Sequence, residues 1–239
     1  MKNNLLAISP LDGRYADKIS ELSEFSSEYA LIKYRMQVEI EYLLALSKIG
    51  VIRKLNISEQ KILRTILSNF NINDALKIKE IENETRHDIK AIEIYLRKLF
   101  TKNSLKNISE MIHFGLTSED INNIAYRLML KNAVENVILP NLTIINNDLF
   151  AKTKEYRKII ILGRTHGQPA VPTTFGKEFA IFAIRLKKQT EALKKLQLTG
   201  KLNGAVGNFN ALYFVAPDVN WLKFSNNFIA RSVVFLKDS

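Results

Sequence analysis

The sequence contains no cysteine. No disulfide can staple it and no thiolate can hold a metal, which fits a reducing compartment and an expected cytoplasmic location. Histidine is nearly as scarce. The three present, His87, His113 and His166, include no pair at i, i+3 or i, i+4, so a zinc cluster is not expected. No metal and no cofactor is assigned. No run of about 18 apolar residues occurs, so neither a membrane span nor a membrane partner is expected. The apolar part of Met1–Pro10 is too short for a signal peptide. Gly204 and Gly207 lie in a Gly/Asn-rich loop, but no strand precedes them and they match no phosphate-loop or dinucleotide pattern. No repeat, low-complexity linker or clear strand ladder is visible.

What is present reads as a globular chain. It has 239 residues, of which 46% are hydrophobic, enough for one or two domains with a sizeable core. The net charge is +11 and the sequence pI is about 9.7. Such a balance suits an anionic metabolite, a membrane surface or nucleic acid. The lysines are spread along the chain, with no tight basic block and no basic helix interleaved with aromatics, so no nucleic-acid partner is expected.

The periodicity is helical nearly throughout. From about Ser27 to Lys48, one stripe carries Leu31, Tyr34, Val38, Tyr42 and Leu46, and Gly50 marks its stop. Ser58 is read as the cap of a second helix carrying Ile62, Leu63, Ile66, Leu67 and Phe70, with Asn71–Asp74 as a turn. A long helix is expected from Thr117 to about Tyr156, kinked at Pro140. Another carries Phe175, Phe179, Phe182, Leu186, Leu193 and Leu196 and is read as ending at Gly200. A last short helix opens after Pro217-Asp218 and carries Trp221, Phe224 and Phe228. The expected fold class is all-α: an N-terminal helical domain over residues 1–111, then part of a long-helix bundle over 112–239.

Four polar clusters interrupt this pattern. Ser9-Pro10-Leu11-Asp12-Gly13-Arg14-Tyr15 is turn-rich, and is either a frayed terminus or an arm carrying an arginine fork to a phosphate. Thr85-Arg86-His87-Asp88 opens a helix bearing Ile89, Ile92, Leu96 and Leu99. Free N–H groups there favour an anion, although Asp88 as a dipole partner beside an exposed His87 explains the same residues. Thr117-Ser118-Glu119-Asp120 reads most commonly as a well-capped helix start, with Glu119 and Asp120 suited to the helix dipole; the alternative is a carboxylate site. Arg164-Thr165-His166-Gly167-Gln168-Pro169-Ala170 places a histidine next to a glycine and three residues before a proline. It is either a polar turn before a helix or a site where an imidazole gives or takes a proton near neutral pH.

Taken together, the segments S-P-L-D-G-R-Y, R-H-D-I-K-A-I-E, T-S-E-D-I-N-N, R-T-H-G-Q-P-A-V-P-T-T and K-L-N-G-A-V-G-N-F-N resemble the adenylosuccinate lyases of the fumarase/aspartase superfamily. They stand in the same order and span Ser9 to Asn210. All three histidines fall in or beside them. The resemblance implies a homotetramer around a bundle of very long helices, with residues of three subunits meeting at each active site. It implies β-elimination of fumarate from adenylosuccinate, giving AMP, and cleavage of the succinyl-carboxamide ribotide in purine synthesis.

The resemblance also implies roles. His166 would be the general acid that protonates the departing nitrogen. Thr117 and Ser118 would hold substrate oxygens, and Arg14 and Tyr15 would contact the phosphate end. His87 and Asp88 would orient the substrate, and Gln168 would contribute to the succinyl pocket. Arg86 stands where the family usually has asparagine, and its charge suits a polyanionic purine ribotide. The family's general base is a serine on a mobile loop like S-S-x-M-P-x-K-x-N-P, and this sequence has no counterpart of it. Family members continue for roughly another two hundred residues, about one or two domains' worth, and the resemblance fades after about Ala230. The expectation is therefore a truncated or frame-shifted lyase, or a fragment of one, inactive alone. The alternative is a non-catalytic remnant that binds a purine ribotide or a full-length lyase partner.

Overall fold

The computed structural model describes residues 6–231. After short 3-10 turns at Ala16–Lys18 and Ser20–Leu22, the chain forms α1 (Ser23–Ser26) and then α2 (Glu28–Ile49). Helix α2 starts where Ser27 accepts the Ala30 N–H through its side chain, and stops at Gly50, whose φ of 79° is the left-handed closure that glycine adopts without strain. Helices α3 (Ile57–Ser68) and α4 (Ile72–Thr85) each open with a capping box, Asn56 with Glu59 and Asn71 with Asp74. The cap of α3 is thus Asn56 and not Ser58. Asn71–Asp74 is the first turn of a helix that the apolar pattern did not reveal. Helix α5 (Asp88–Phe100) and a 3-10 segment, Ser104–Met111, follow.

Helix α6 (Ser118–Ala133) runs into a π-helical turn, Val134–Ile138, and then α7 (Leu139–Glu155). Pro140 has no N–H to donate back along the helix, and its ring crowds the carbonyl four residues earlier. The widened turn just before it relieves both problems. The strands β1 (Ile160–Thr165) and β2 (Gln168–Thr174) then form an antiparallel hairpin. Helix α8 (Phe175–Lys195) ends in extended backbone at Leu196, short of Gly200. The short α9 (Asn210–Val215) and α10 (Trp221–Arg231) complete the described residues. The fold is all-α in class, with one two-stranded ribbon that the sequence pattern did not disclose.

The chain divides into two compact units. The first takes the described residues up to Lys131 and those from Thr199 on; the second is Asn132–Leu198. This division by packing cuts the chain elsewhere than at residue 111, the boundary expected from the sequence. In the first unit α2 is buried on nearly every side rather than along one stripe, with Ala30, Met36, Tyr42 and Leu46 fully enclosed. Tyr42 meets Phe224 and Phe228 edge-on, each at 5.9 Å between ring centroids. Trp221 is wholly buried, and its indole N–H donates to the Ala216 carbonyl at 3.0 Å. Each such side chain contributes roughly 1.5–3 kcal/mol of burial. At Gly115 (φ 68°) a Cβ would overlap the side chain of Leu212, so α9 can seat only against a glycine.

The second unit is an antiparallel pair, α7 and α8, joined by the ribbon. Its helices approach closely at Gly176, where a Cβ would lie 2.5 Å from the Thr153 carbonyl oxygen. Tyr156, Phe175 and Phe179 stack together at that end, with ring centroids 5.1–5.7 Å apart. Among the described residues, no helix is long and apolar enough to cross a membrane, and no group of three or more acidic or histidine side chains is placed to hold a metal ion.

Candidate active site

Helix α6 begins at Ser118, so Thr117 precedes it and Asp120 falls in its first turn. Asp120 is fully buried. One carboxylate oxygen, Oδ2, accepts the Thr117 N–H at 3.0 Å and the Gly204 N–H at 3.1 Å. The other, Oδ1, accepts the Lys201 ammonium at 2.8 Å and the Asn203 N–H at 3.0 Å. A buried carboxylate tolerates desolvation only with such a set of donors. Three residues further on, Asn123 accepts the Lys201 N–H at 2.8 Å and donates to the Lys201 carbonyl at 3.0 Å. The T-S-E-D-I-N-N and K-L-N-G segments, 78 to 84 residues apart in sequence, are therefore clamped together.

The R-H-D segment joins the same unit by another route. Helix α4 closes at Arg86, whose φ of 55° is left-handed. His87 then caps α5: its Nδ1 accepts the Lys90 N–H at 3.2 Å. The His87 side chain is about half exposed, at 51%. Asp88 accepts the Arg35 guanidinium at 2.6 Å, and Arg35 also donates through Nε to Asn122 at 2.8 Å. Buried Arg35 thus ties α2 to the start of α5 and to the first turns of α6. Asp88 meets protein charge on one oxygen, and on the other accepts the Ile89 N–H of its own helix at 2.8 Å.

The third histidine is structural. His113 Nδ1 lies 2.6 Å from Glu39 Oε1, and its backbone N–H donates to Glu39 Oε2 at 3.1 Å. Burial disfavours the imidazolium, but the Glu39 hydrogen bond and charge, helped by Glu93 and Asp120, raise the His113 pKa above its ordinary value. Sequence reading missed Arg35, Glu39 and Asp120. The signal for the first two is charge inside a helix that is rich in apolar residues; Asp120 was visible only as part of the first turn of α6.

His166 sits in the second unit at the tip of the ribbon. Thr165 pairs with Gln168, so His166 and Gly167 form a two-residue connection with φ of 51° and 76°. Two positive values define the tight turn that suits a right-twisted hairpin. Histidine is among the few non-glycine residues that tolerate this region. Gly163 allows the bulge between Leu162 and Arg164, since a Cβ there would stand 2.5 Å from the Val171 carbonyl oxygen. Arg164, His166 and Gln168 are exposed. Helix α8 opens only at Phe175, where Thr174 accepts the Lys177 N–H at 3.3 Å. The central motif is thus a ribbon tip and not a helix N-terminus.

Arg14 and Tyr15 are exposed in the N-terminal turn, which is closed by the Tyr15 N–H donating to the Pro10 carbonyl at 2.8 Å. The Arg14 guanidinium lies 5.5 Å from the Tyr15 ring centroid. Of the sequence-predicted residues, Thr117 and Ser118 share a clamped region with Lys201–Gly204, and Asp88 is linked to it through Arg35. Arg14, Tyr15, Arg86 and His87 lie in the same unit. His166 and Gln168 belong to the other.

A protein-family profile described as Lyase matches residues 13–232. The chain is 45% identical over 230 residues to the adenylosuccinate lyase of Buchnera aphidicola subsp. Acyrthosiphon pisum, covering 95% of this chain and 50% of that one. It is 46% identical over 235 residues to the adenylosuccinate lyase of Dictyostelium discoideum, with 95% and 50% covered. For the Escherichia coli K12 adenylosuccinate lyase the identity is 43% over 231 residues, with 95% and 51% covered. The chain therefore spans about half the length of the curated relatives it matches. In fold it is similar to a fumarate lyase from Mesorhizobium sp. BNC1, with TM-score 0.72, 20% identity and coverage of 91% and 48%. It is also similar to the β-carboxy-cis,cis-muconate cycloisomerase of Acinetobacter calcoaceticus sp. ADP1, with TM-score 0.68, 20% identity and coverage of 90% and 48%.

Proposed function

Because the chain belongs to this lyase family, we propose that it carries the N-terminal half of the machinery that eliminates fumarate from adenylosuccinate to give AMP. The same machinery would cleave the succinyl-carboxamide ribotide of purine nucleotide biosynthesis. The observation that carries this reading is the 43–46% identity along nearly the whole chain to relatives named adenylosuccinate lyase. The geometry supports it. His87, His166 and the Thr117-Ser118 pair stand at structurally defined points: a helix cap, a hairpin tip and a clamped helix start.

The chemistry assigns each group a task. A weakly acidic proton leaves the carbon beside a carboxylate, and the dianion that develops needs cations and N–H donors around it. The start of α6, with Thr117 and Ser118, would hold the carboxylate. His166, on its exposed tip, would protonate the departing nitrogen as the C–N bond breaks. Gln168 would line the succinyl pocket. Arg14, Tyr15 and Arg86 would take the phosphate and its charge, and His87 would orient the substrate. Asp88 would act through its pairing with Arg35. We extend the proposal to a cytoplasmic homotetramer whose sites draw on several subunits, with residues 1–111 and 112–239 as its N-terminal and bundle domains.

Residues 1–239 contain no counterpart of the family's serine loop, so on this reading they supply no base for proton abstraction. That same observation favours a second reading, in which these residues bind a purine ribotide or a full-length lyase partner without turnover. The test is to purify residues 1–239 and follow conversion of adenylosuccinate to AMP and fumarate, alone and with the C-terminal half of a related full-length lyase. We expect turnover only with the complement, reduced about 10²–10⁴-fold by His166→Ala. Turnover by residues 1–239 alone, abolished by the same substitution, would show that the base is already present. Ribotide binding with no turnover in either mixture would favour the second reading.

A further inference from the structure

A groove of about 530 Å³ opens in the first unit between α2, α3 and the α4–α5 pair. Its volume is in the range that small-molecule sites use, roughly 300–1,000 Å³. Its apolar surface comes from Met36, Ile62, Ile66 and Phe70. Met36 is fully buried, and Phe70 is stacked on Tyr29 at 5.5 Å, so both belong to the packed interior and are held in place. None of the motif residues lines it.

The polar groups of the groove differ in how far they are already engaged. Along one wall, α3 and its C-cap present Ser58, Lys61, Thr65 and Asn69 at helical spacing. Among the described residues, these four side chains have no hydrogen-bond or ion-pair partner in the protein. On the facing wall, Asp74 is well satisfied. It accepts the Tyr95 hydroxyl at 2.8 Å, the Asn71 N–H at 3.2 Å and the Lys77 ammonium at 3.4 Å. The negative charge of the groove is therefore balanced in place, whereas the positive charge of Lys61 is not. Hydroxyls one turn to either side of Lys61 can add donors to whatever it holds.

We infer that this groove binds a small apolar carboxylate, with its head on Lys61 between Ser58 and Thr65 and its body along Ile62, Ile66 and Phe70. The inference does not rest on the proposed elimination, and the two are tested by different readouts.

The test is a titration of the full 239-residue chain, labelled at its methionine and isoleucine methyls, with 4-phenylbutyrate. The neutral 4-phenylbutanol and the cationic 4-phenylbutylamine serve as matched controls. We expect saturable shifts at Met36, Ile62 and Ile66, tightest for the carboxylate. Lys61 is exposed, so Lys61→Gln leaves the fold intact. It should weaken the carboxylate about threefold to fivefold, the size of a solvent-exposed ion pair, and leave the alcohol unchanged. Three results would overturn the inference. One is an amine that binds as tightly as the carboxylate. Another is equal weakening of acid and alcohol by Lys61→Gln. The third is non-saturating shifts shared equally with Ile144 and Ile184, exposed apolar positions of the other unit.

Discussion

The two compact units are built from similar apolar side chains and use them in opposite ways. The first encloses its largest residues: Trp221, Tyr42 and Phe100 are essentially inaccessible. The second encloses small ones, Gly176, Ala183 and Thr190, and leaves Ile144, Ile160 and Phe182 exposed at 59%, 75% and 62%. In the first unit, packing of large side chains supplies the stability. In the second, close helix approach and hairpin hydrogen bonds define the shape, and the large residues remain available as a surface. Exposed large apolar side chains accord with helices proposed to belong to a larger bundle.

The sharpest way to break that contrast is to remove one large aromatic from each unit. Trp221→Ala should cost about 3–5 kcal/mol, the usual penalty for emptying a core aromatic site. Phe182→Ala should change stability by no more than about 0.5 kcal/mol, as surface substitutions do. Urea denaturation of both variants checks this. Equal losses would mean that the second unit has a core of its own kind.

A smaller effect is expected from the buried polar clamp of the first unit. Asp120→Asn keeps the shape but replaces two acceptor oxygens with one, next to four donors. Leaving buried donors unsatisfied costs roughly 1–3 kcal/mol. Hydrogen exchange should show the Asn203 and Gly204 amides losing protection before those of α2. Unchanged protection at both amides would mean that the loop is held by something other than Asp120.

A local change is expected at the ribbon tip. Gly167 has open space around it, so Gly167→Ala meets no clash and only the strain of φ 76°. That strain is worth about 1–2 kcal/mol per residue. It should appear as loss of the Thr165–Gln168 pairing in hydrogen exchange, with no change in the first unit. Retained pairing would show that the turn does not depend on the left-handed glycine.

Much of the fold was legible because helices write their period into the sequence. The spans of α2, α5 and α10, and the continuous run from Ser118 to Glu155, follow from apolar spacing and from breakers at Gly50 and Pro140. Helix α4 was missed because its opening Asn71–Asp74 has turn chemistry, and the same residues that make a turn also make a capping box. The ribbon was missed because Pro169 and Pro172 argue against a strand. A two-stranded hairpin has only edges, so each proline can sit where no ladder N–H is needed.

The candidate site divides along the same line. The sequence by itself determined the helical class, the five motif segments and the residue types they offer, because local spacing and side-chain chemistry are written in the chain. Only the tertiary structure decided what those residues are doing. It turned Asp120 from a first-turn residue of α6 into a four-donor hub and gave the buried Arg35 the task of joining Asp88 to Asn122. It made His87 a helix cap and His113 a partner of Glu39, and it raised His166 onto a hairpin tip. The reason is physical: hydrogen bonds and ion pairs in a packed interior join groups dozens of residues apart, and no local pattern records which donor a buried acceptor will meet.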